Sequence, residues 1–234
     1  MKDKFIFDVD GTLTPSRGTI NLEFKAFFDN FCLMNDVYLV TGSDKPKTVE
    51  QISEETYNLC KRVYNCSGGD VYEGKQNIRS SDWKLPDMAR TFLISCEYES
   101  LFDLRTGNHI EERSGLVNFS VVGRNANAEE RAKYVEYDSF EEERNTIANA
   151  FNIMFPELQA TVGGDTGIDI APRGLDKSQI LKDFEDNNKI HFYGDAMFEG
   201  GNDKPLADAL KKYQLGFSHQ VTNWKETWQL LKEL

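Results

Sequence analysis

The chain has 234 residues, 39% of them hydrophobic and 16 of them phenylalanine, which is enough for one large domain or two small ones with a real core. A formal net charge of −12 and a pI near 4.8 exclude a general binder of nucleic acid or anionic membrane, although a local basic pocket can still hold phosphate. With no apolar run of membrane-spanning length, no signal-peptide pattern, four cysteines without a Cys-x-x-Cys and three scattered histidines, the expectation is a cytoplasmic protein with reduced thiols and no zinc.

Residues 4–9 read as a buried strand, too short and unbroken for a surface helix. It delivers Asp8 and Asp10 into a Gly11-Thr12 turn. Phe24, Phe27, Phe28 and Phe31 then fall at i, i+3, i+4 and i+7, one face of a helix over about 21–33. Val37–Val40 is a second buried strand, ending in Thr41-Gly42-Ser43-Asp44. Asp44 suits an N-cap and Pro46 a first helical turn, and Val49, Ile52, Thr56 and Leu59 line the helix that follows. This β-α-β-α opening implies an α/β fold with a parallel, Rossmann-like sheet and right-handed crossovers.

The style changes after about residue 75. Residues 91–96 and 100–104 read as short strands, and Leu116–Val122 as another, with Val117, Phe119 and Val121 alternating against Asn118 and Ser120. A charged helix starts near Ala128. Ser139-Phe140-Glu141-Glu142 reads as a capping box that opens a helix with Phe140, Ile147, Phe151 and Phe155 on its inner side. Strands follow at 159–163 and 167–171. This run is an α+β unit inserted at 79–174, between halves of the core at 1–78 and 175–234. The opening style then returns with a helix from Asp176-Lys177-Ser178 to about 186, a strand at 189–193 ending in Gly194-Asp195, a helix at 204–211, a strand at 215–218, and a last helix capped by Thr222 with Trp224, Trp228 and Leu231 on one face.

Three of the parallel strands end in polar or acidic residues, and in open parallel sheets ligands sit beyond the carboxyl ends of the strands. Asp8, Asp10, Thr41, Ser43 and Asp195 are therefore expected on one edge, with Asn202 and Asp203 close by. A carboxylate there can act as nucleophile and a second can move protons. Hard carboxylate oxygens without soft ligands suit Mg²⁺, and Lys177 can neutralise both a phosphoryl group and Asp8.

Asp8-x-Asp10-Gly11-Thr12, Thr41 and Ser43 after the second strand, Lys177, and Gly194-Asp195 through Gly201-Asn202-Asp203 resemble the four motifs of the haloacid dehalogenase superfamily, and the insertion resembles its C2-type cap. The stretch Asp8–Arg17, the cap stretch Arg113–Arg124 with Glu129-Glu130-Arg131, Gly163-Gly164, and Ile168-Asp169-Ile170-Ala171-Pro172 with Gly174-Leu175-Asp176-Lys177 are similar to eukaryotic-type phosphomannomutases. The resemblance runs from about residue 3 to 220. It departs at Gly167, where that family usually has serine, at Ala171 and Leu175, where it has aromatics, and at Thr41, where it has glycine.

The resemblance implies Asp8 as the nucleophile that becomes an aspartyl phosphate and Asp10 as the general acid/base. It implies Mg²⁺ held by Asp8, the Asp10 carbonyl and Asp195, with Asn202 and Asp203 as further candidates. Ser43, Thr41 and Lys177 would hold the transferring phosphoryl group. Arg17, Arg113, Arg124 and Arg131, with Asn118 and Asp169, would bind the phosphosugar. Interconversion of mannose 6-phosphate and mannose 1-phosphate, and of the glucose phosphates, through a hexose 1,6-bisphosphate activator is then expected, with a homodimer formed through the cap and a place in GDP-mannose biosynthesis. No nucleic-acid or membrane partner is expected.

The residues themselves leave a rival. A Mg²⁺-dependent sugar-phosphate phosphatase uses the same aspartyl phosphate, and water competes with sugar for it. A mutase needs a second phosphate site, which arginine forks on an otherwise acidic cap can supply. The plainer alternative for these arginines is ion pairing with Glu111, Glu112, Glu129 and Glu130. A non-catalytic phosphosugar-binding protein is disfavoured because every catalytic position is filled.

Overall fold

The structure, a computed structural model, describes residues 3–16, 18–185 and 189–234. Arg17 lies outside the described residues. The chain divides into two units, Met1–Ser81 with Leu175–Leu234, and Asp82–Gly174.

The first unit opens with β1 (Lys4–Phe7), α1 (Leu22–Met34), β2 (Asp36–Val40), α2 (Lys45–Ile52), α3 (Glu54–Leu59), β3 (Arg62–Asn65), β4 (Asp70–Glu73) and β5 (Gln76–Ser80). The second comprises α4 (Asp87–Glu99), β6 (Ile110–Arg113), β7 (Leu116–Phe119), α5 (Ala128–Glu141), α6 (Glu143–Met154), β8 (Leu158–Gly163) and β9 (Gly167–Pro172). The chain then returns to the first unit with a 3₁₀ helix (Lys177–Asp183), β10 (Ile190–Gly194), α7 (Lys204–Tyr213), β11 (Gly216–Gln220) and α8 (Trp224–Lys232). No helix among the described residues is long and apolar enough to cross a membrane, and all four cysteines are free thiols.

The first unit is built on a seven-stranded sheet in the order β11-β10-β1-β2-β3-β4-β5. The pairings from β11 to β3 are parallel, and β4 and β5 add an antiparallel edge. Alternation along β1 feeds both faces. Phe5 and Phe7 join a core with Phe24, Phe28 and Cys32 of α1 and Leu231 of α8, whereas Ile6 joins Val40, Tyr64, Ile180, Phe192, Leu206 and Leu210. Phe7 meets Phe28 edge-to-face at 5.2 Å. Asn21 caps α1, its Oδ1 accepting from the Glu23 and Phe24 N–H groups. Asp44 caps α2 through Lys47 N, as its position after β2 suggests.

The second unit carries the antiparallel sheet β6-β7-β9-β8. Val117, Phe119, Ile168, Ile170 and Ala160 point to one face and bury against Leu93 of α4, Tyr134 of α5 and Phe151 of α6. On the other face the register lines up Glu111, Asn118, Asp169 and Thr161, one from each strand.

Several expectations need correction. Residues 91–96 are not a strand but the middle of α4. Their β-branched and aromatic content favours a strand locally, but Ala89, Leu93 and Cys96 recur at helical spacing, and burial of that stripe decides. Residues 100–104 are irregular because the Arg105 guanidinium takes up the carbonyls of Glu97, Ser100, Phe102 and Leu104, which a strand would need for its ladder. The helix after Asp44 is two helices, broken at Ser53, whose φ of 76° no helix accommodates. Ser139 opens nothing. It lies inside α5, donating to Glu136 O, and the capping box is formed by Asn127 and Glu130 instead. Phe140 is consequently 80% exposed, while Ile147, Phe151 and Phe155 are buried as their spacing implies. The last helix is capped by Asn223, and Thr222 binds Glu226.

The correction at α4 is testable. Leu93 is fully buried and Ile94 is 51% exposed. Leu93→Ala should cost about 2–5 kcal/mol in urea unfolding and Ile94→Ala under about 1 kcal/mol. Equal losses at the two positions would contradict the helical placement.

Candidate active site

β1 and β10 are neighbours, and from them the chain winds to opposite sides of the sheet, so their carboxyl ends flank the switch point where such sheets bind ligands. Asp8 N donates to Tyr193 O at 2.9 Å, which ties the end of β1 to the end of β10 and sets Asp8 beside Gly194-Asp195. Beyond Asp8 the chain closes on itself. The Val9 carbonyl accepts from Leu13 N at 2.9 Å and Thr14 N at 3.1 Å, and Gly11 N donates to Thr14 O at 2.9 Å. Gly11 has φ +79°, and a Cβ there would lie 2.3 Å from Asp195 Oδ2. Glycine is therefore required both by the turn and by the approach of the acid.

Lys177 begins the 3₁₀ helix after Asp176, whose Oδ1 caps Ser178 N. Its Nζ donates to Asp8 Oδ1 at 2.6 Å and to Asp203 Oδ1 at 2.7 Å, and all three side chains are buried. Asp203 Oδ2 also accepts from Ala196 N. Carboxylate oxygens of Asp8, Asp195 and Asp203 lie within 4.8 Å of one another. Burial, followed by the neighbouring Asp203 and Asp195 charges, pushes the Asp8 carboxyl well above the usual carboxylate range despite Lys177. Burial and Asp203 push Asp195 up to about 6. Burial opposes the charge on Lys177, but Asp203 and Asp8 outweigh it and hold the ammonium above the ordinary lysine value. One ammonium for three close carboxylates leaves an excess of negative charge. That donor set, all oxygen and largely buried, fits a hard divalent cation.

Asp10 stands just outside this cluster. Gln51 Nε2 donates to its Oδ1 at 2.8 Å, and Ser43 Oγ to its Oδ2 at 3.4 Å. Thr41 is buried and its Oγ1 accepts from Ser43 N at 3.1 Å, so it orders the turn that presents Ser43. The same turn is pinned from the short turn after β3: Cys66 N donates to Ser43 O and Ser67 N to Thr41 O, both donors from backbone with positive φ. Asn202 lies in the loop that leads into Asp203 and α7.

In the inserted unit, Glu111 accepts from Arg113 Nη2 and forms an ion pair with Arg124, whose Nε lies 3.0 Å from Glu111 Oε2, so two of the expected phosphate ligands share one carboxylate. Arg131 of α5 lies 3.8 Å from Asp165. The four acids suspected of pairing with these arginines thus divide. Glu111 does pair with two of them, whereas Glu112 binds Lys84 and Arg90, Glu129 binds Lys133, and Glu130 completes the cap of α5. Asn118 Nδ2 donates to Asp169 Oδ1 at 2.6 Å across β7 and β9. Ser120 instead turns to Thr166, 3.5 Å away and likewise buried. A Cβ at Gly167 would fall 2.6 Å from Asn118 Nδ2. Glycine at this position thus admits the Asn118–Asp169 pair as it stands.

The expected site residues therefore form two sets. Asp8, Asp10, Ser43, Lys177, Asp195 and Asp203 meet within the first unit, with Thr41 supporting them. Arg113, Arg124, Arg131, Asn118 and Asp169 belong to the second. Gln51 and Glu111 were not expected as site residues. A glutamine near the end of an amphipathic helix carries no sequence signal of its target, whereas Glu111, two residues before Arg113 on a strand, shares its face by alternation.

The chain is similar to known proteins over most of its length. A family model described as eukaryotic phosphomannomutase matches residues 24–234. A phosphomannomutase of Spinacia oleracea is 31% identical over 237 residues, 98% of this chain and 94% of that protein. One of Solanum lycopersicum is 32% identical over 231 residues, 95% and 90% of the two chains. Among solved structures, a haloacid dehalogenase-like hydrolase from Bacteroides thetaiotaomicron matches with a TM-score of 0.55 at 13% identity, covering 100% of this chain and 99% of the other, a likeness of fold.

The raised Asp195 carboxyl has a readable consequence. Its folded pKa lies above the unfolded value, so its contribution to stability is complete below about pH 4 and is lost as pH rises through about 6, up to about 3 kcal/mol in the metal-free protein. Mg²⁺ should therefore raise the melting temperature more at pH 7.5 than at pH 5, because the raised carboxyls of Asp8 and Asp195 must both lose a proton to bind it, and Asp195→Asn should reduce that difference. An Mg²⁺ effect independent of pH would contradict this description of the cluster.

Proposed function

The chain belongs to the eukaryotic phosphomannomutase family, and on that premise we propose that it interconverts mannose 6-phosphate and mannose 1-phosphate through a phosphorylated Asp8 and a hexose 1,6-bisphosphate. The observation that carries this reading is the buried Lys177 ammonium between Asp8 and Asp203, beside Asp195. It supplies a carboxylate nucleophile at a strand end, with positive charge at the point where a phosphoryl group would arrive.

The chemistry follows from these positions. An Asp8 carboxylate oxygen attacks the phosphorus of the bisphosphate, and the bond from phosphorus to the sugar oxygen breaks. Asp10 gives its proton to that oxygen, leaving a neutral hydroxyl. The monophosphate leaves and mannose 1-phosphate takes its place, Asp10 takes a proton from its free hydroxyl, that oxygen attacks the phosphorus on Asp8, and the bisphosphate so formed turns over to give its other phosphoryl group to Asp8. Asp10 thus works as acid on one half-reaction and base on the other. Ser43 and Lys177 bind the oxygens of the phosphoryl group in transit. Asp8, the Asp10 carbonyl and Asp195 would hold Mg²⁺, with Asp203 beside them, and the ion would neutralise charge on the phosphoryl oxygens. Arg113 and Arg124, set side by side by Glu111, and Arg131 bind the phosphate that is not being transferred, and Asn118 and Asp169 bind sugar hydroxyls. A hydrolase of a monophosphate has no second phosphate for these arginines to bind. The free chain is expected as a cap-mediated homodimer working on small phosphosugars.

Phosphorus NMR tests the reading. With Mg²⁺, mannose 1-phosphate and a trace of hexose 1,6-bisphosphate, the mannose 6-phosphate resonance should appear, and Asp8→Asn should abolish it. Inorganic phosphate as the sole product, or an active Asp8→Asn protein, would overturn it.

A further inference from the structure

The carboxylate expected to move protons is itself held by a residue that no motif marks. Gln51 sits in the last turn of α2, and its side chain is 1% exposed. Both amide N–H groups have uses: Nε2 lies 2.8 Å from Asp10 Oδ1 and 3.3 Å from Thr14 Oγ1. The amide orientation follows from chemistry, because the reverse placement would aim a carbonyl oxygen at a carboxylate. The Gln51 Oε1 atom is buried and has no hydrogen-bond partner. Burying a primary amide with its carbonyl unsatisfied costs stability, and an apolar side chain of the same size would not incur that cost. The donors therefore have to justify the residue.

What they do is hold one oxygen of Asp10. The strong bond goes to Oδ1, while Oδ2 has the weaker contact with Ser43 Oγ at 3.4 Å. Thr14 is the second anchor. It bridges back to Asp10 in the turn, its Oγ1 donates to Val9 O, and Gln51 binds it and Asp10 together. The backbone of Gln51 is fixed as well, its carbonyl accepting from Ile20 N at 2.8 Å. The amide thus couples the end of α2 to both sides of the turn that carries Asp10.

We propose that Gln51 is a positioning residue for phosphoryl transfer, holding Asp10 Oδ1 so that Oδ2 is the oxygen that exchanges a proton with the sugar. The inference rests on the reading of Asp8 as nucleophile and Asp10 as acid/base. A positioned acid matters only where the leaving oxygen needs a proton. When a sugar phosphate phosphorylates Asp8, the bond from phosphorus to sugar oxygen breaks and Asp10 protonates that oxygen. When acetyl phosphate does so, acetate leaves as a stable anion and no proton is required.

The test compares the two donors in the wild type, Gln51→Met, which keeps the size and loses both donors, and Gln51→Glu, which replaces the amide by a carboxyl group. For hexose 1,6-bisphosphate with mannose 1-phosphate, kcat should fall about 10- to 100-fold in both variants with KM little changed, part of the roughly 10²–10⁴-fold that a placed acid/base group contributes. The burst of acetate released as acetyl phosphate phosphorylates Asp8 should keep its wild-type rate. Equal losses on both donors would show a purely structural role, and no loss on either would show no role; each overturns the inference while leaving the proposed function standing. A wild type with neither sugar-phosphate interconversion nor an acetate burst would overturn the proposed function, and this inference with it.

Discussion

The interaction on which the site depends is the pair of hydrogen bonds from Lys177 to Asp8 and Asp203. It joins residues 169 and 26 positions apart in the chain, so it can form only in a fold that brings the return segment back beside the first strand. Two buried acids on one lysine, with a half-buried third beside them, are a liability for stability. Replacing a buried ion pair by apolar groups is often neutral or favourable, but removing one partner alone costs about 3–5 kcal/mol. Such a cluster is best understood as electrostatic preparation for a substrate and a cation that complete its charge balance, an arrangement common where pKa values are strongly displaced.

The rest of the first unit serves that placement. Parallel pairing of β1 with β10 and β2 sets their ends level, and alternation along β1 buries Phe5 and Phe7 on one face and Ile6 on the other, so the strand cannot slip by one residue without inverting both cores. The stiff aromatic layer under β1 fixes the backbone at Asp8. Past it, the Val9–Thr14 turn gives Asp10 a different environment from Asp8, with Gln51 and Ser43 in place of Lys177 and two acids. Two carboxylates two residues apart thereby acquire separate tasks. The inserted unit holds its own apolar core on one face of its sheet and its polar row on the other.

The sequence disclosed the parts governed by strand ends and the parts governed by periodicity. Asp8, Lys177, Asp195 and Asp203 could be grouped because buried apolar runs end just before several of them and the topology of parallel sheets brings such ends together. The stripe of α1 was legible because Phe24 and Phe28 repeat at helical spacing. Residues 91–104 misled because their β-rich composition is a local signal, and the burial that overrules it is tertiary. Ser139 misled because a capping pattern is equally compatible with the interior of a helix, whose continuation depends on Tyr134 and Asp138 being buried. Gln51 was invisible for a related reason: what a buried amide binds is set by packing between elements. Gly167 could be seen as a departure, but only the Asn118–Asp169 contact gives that departure a physical meaning.

The central claim is that Asp8 takes a phosphoryl group from a hexose 1,6-bisphosphate and passes it to a hexose monophosphate. Brief exposure of the protein to a hexose 1,6-bisphosphate bearing radiolabelled phosphate, followed by acid quench and peptide mapping, tests it directly. The account predicts label on the peptide containing Asp8 and its transfer to added mannose 1-phosphate on a chase before quenching. Label on any other residue, or label on Asp8 that chases only to inorganic phosphate, would contradict it.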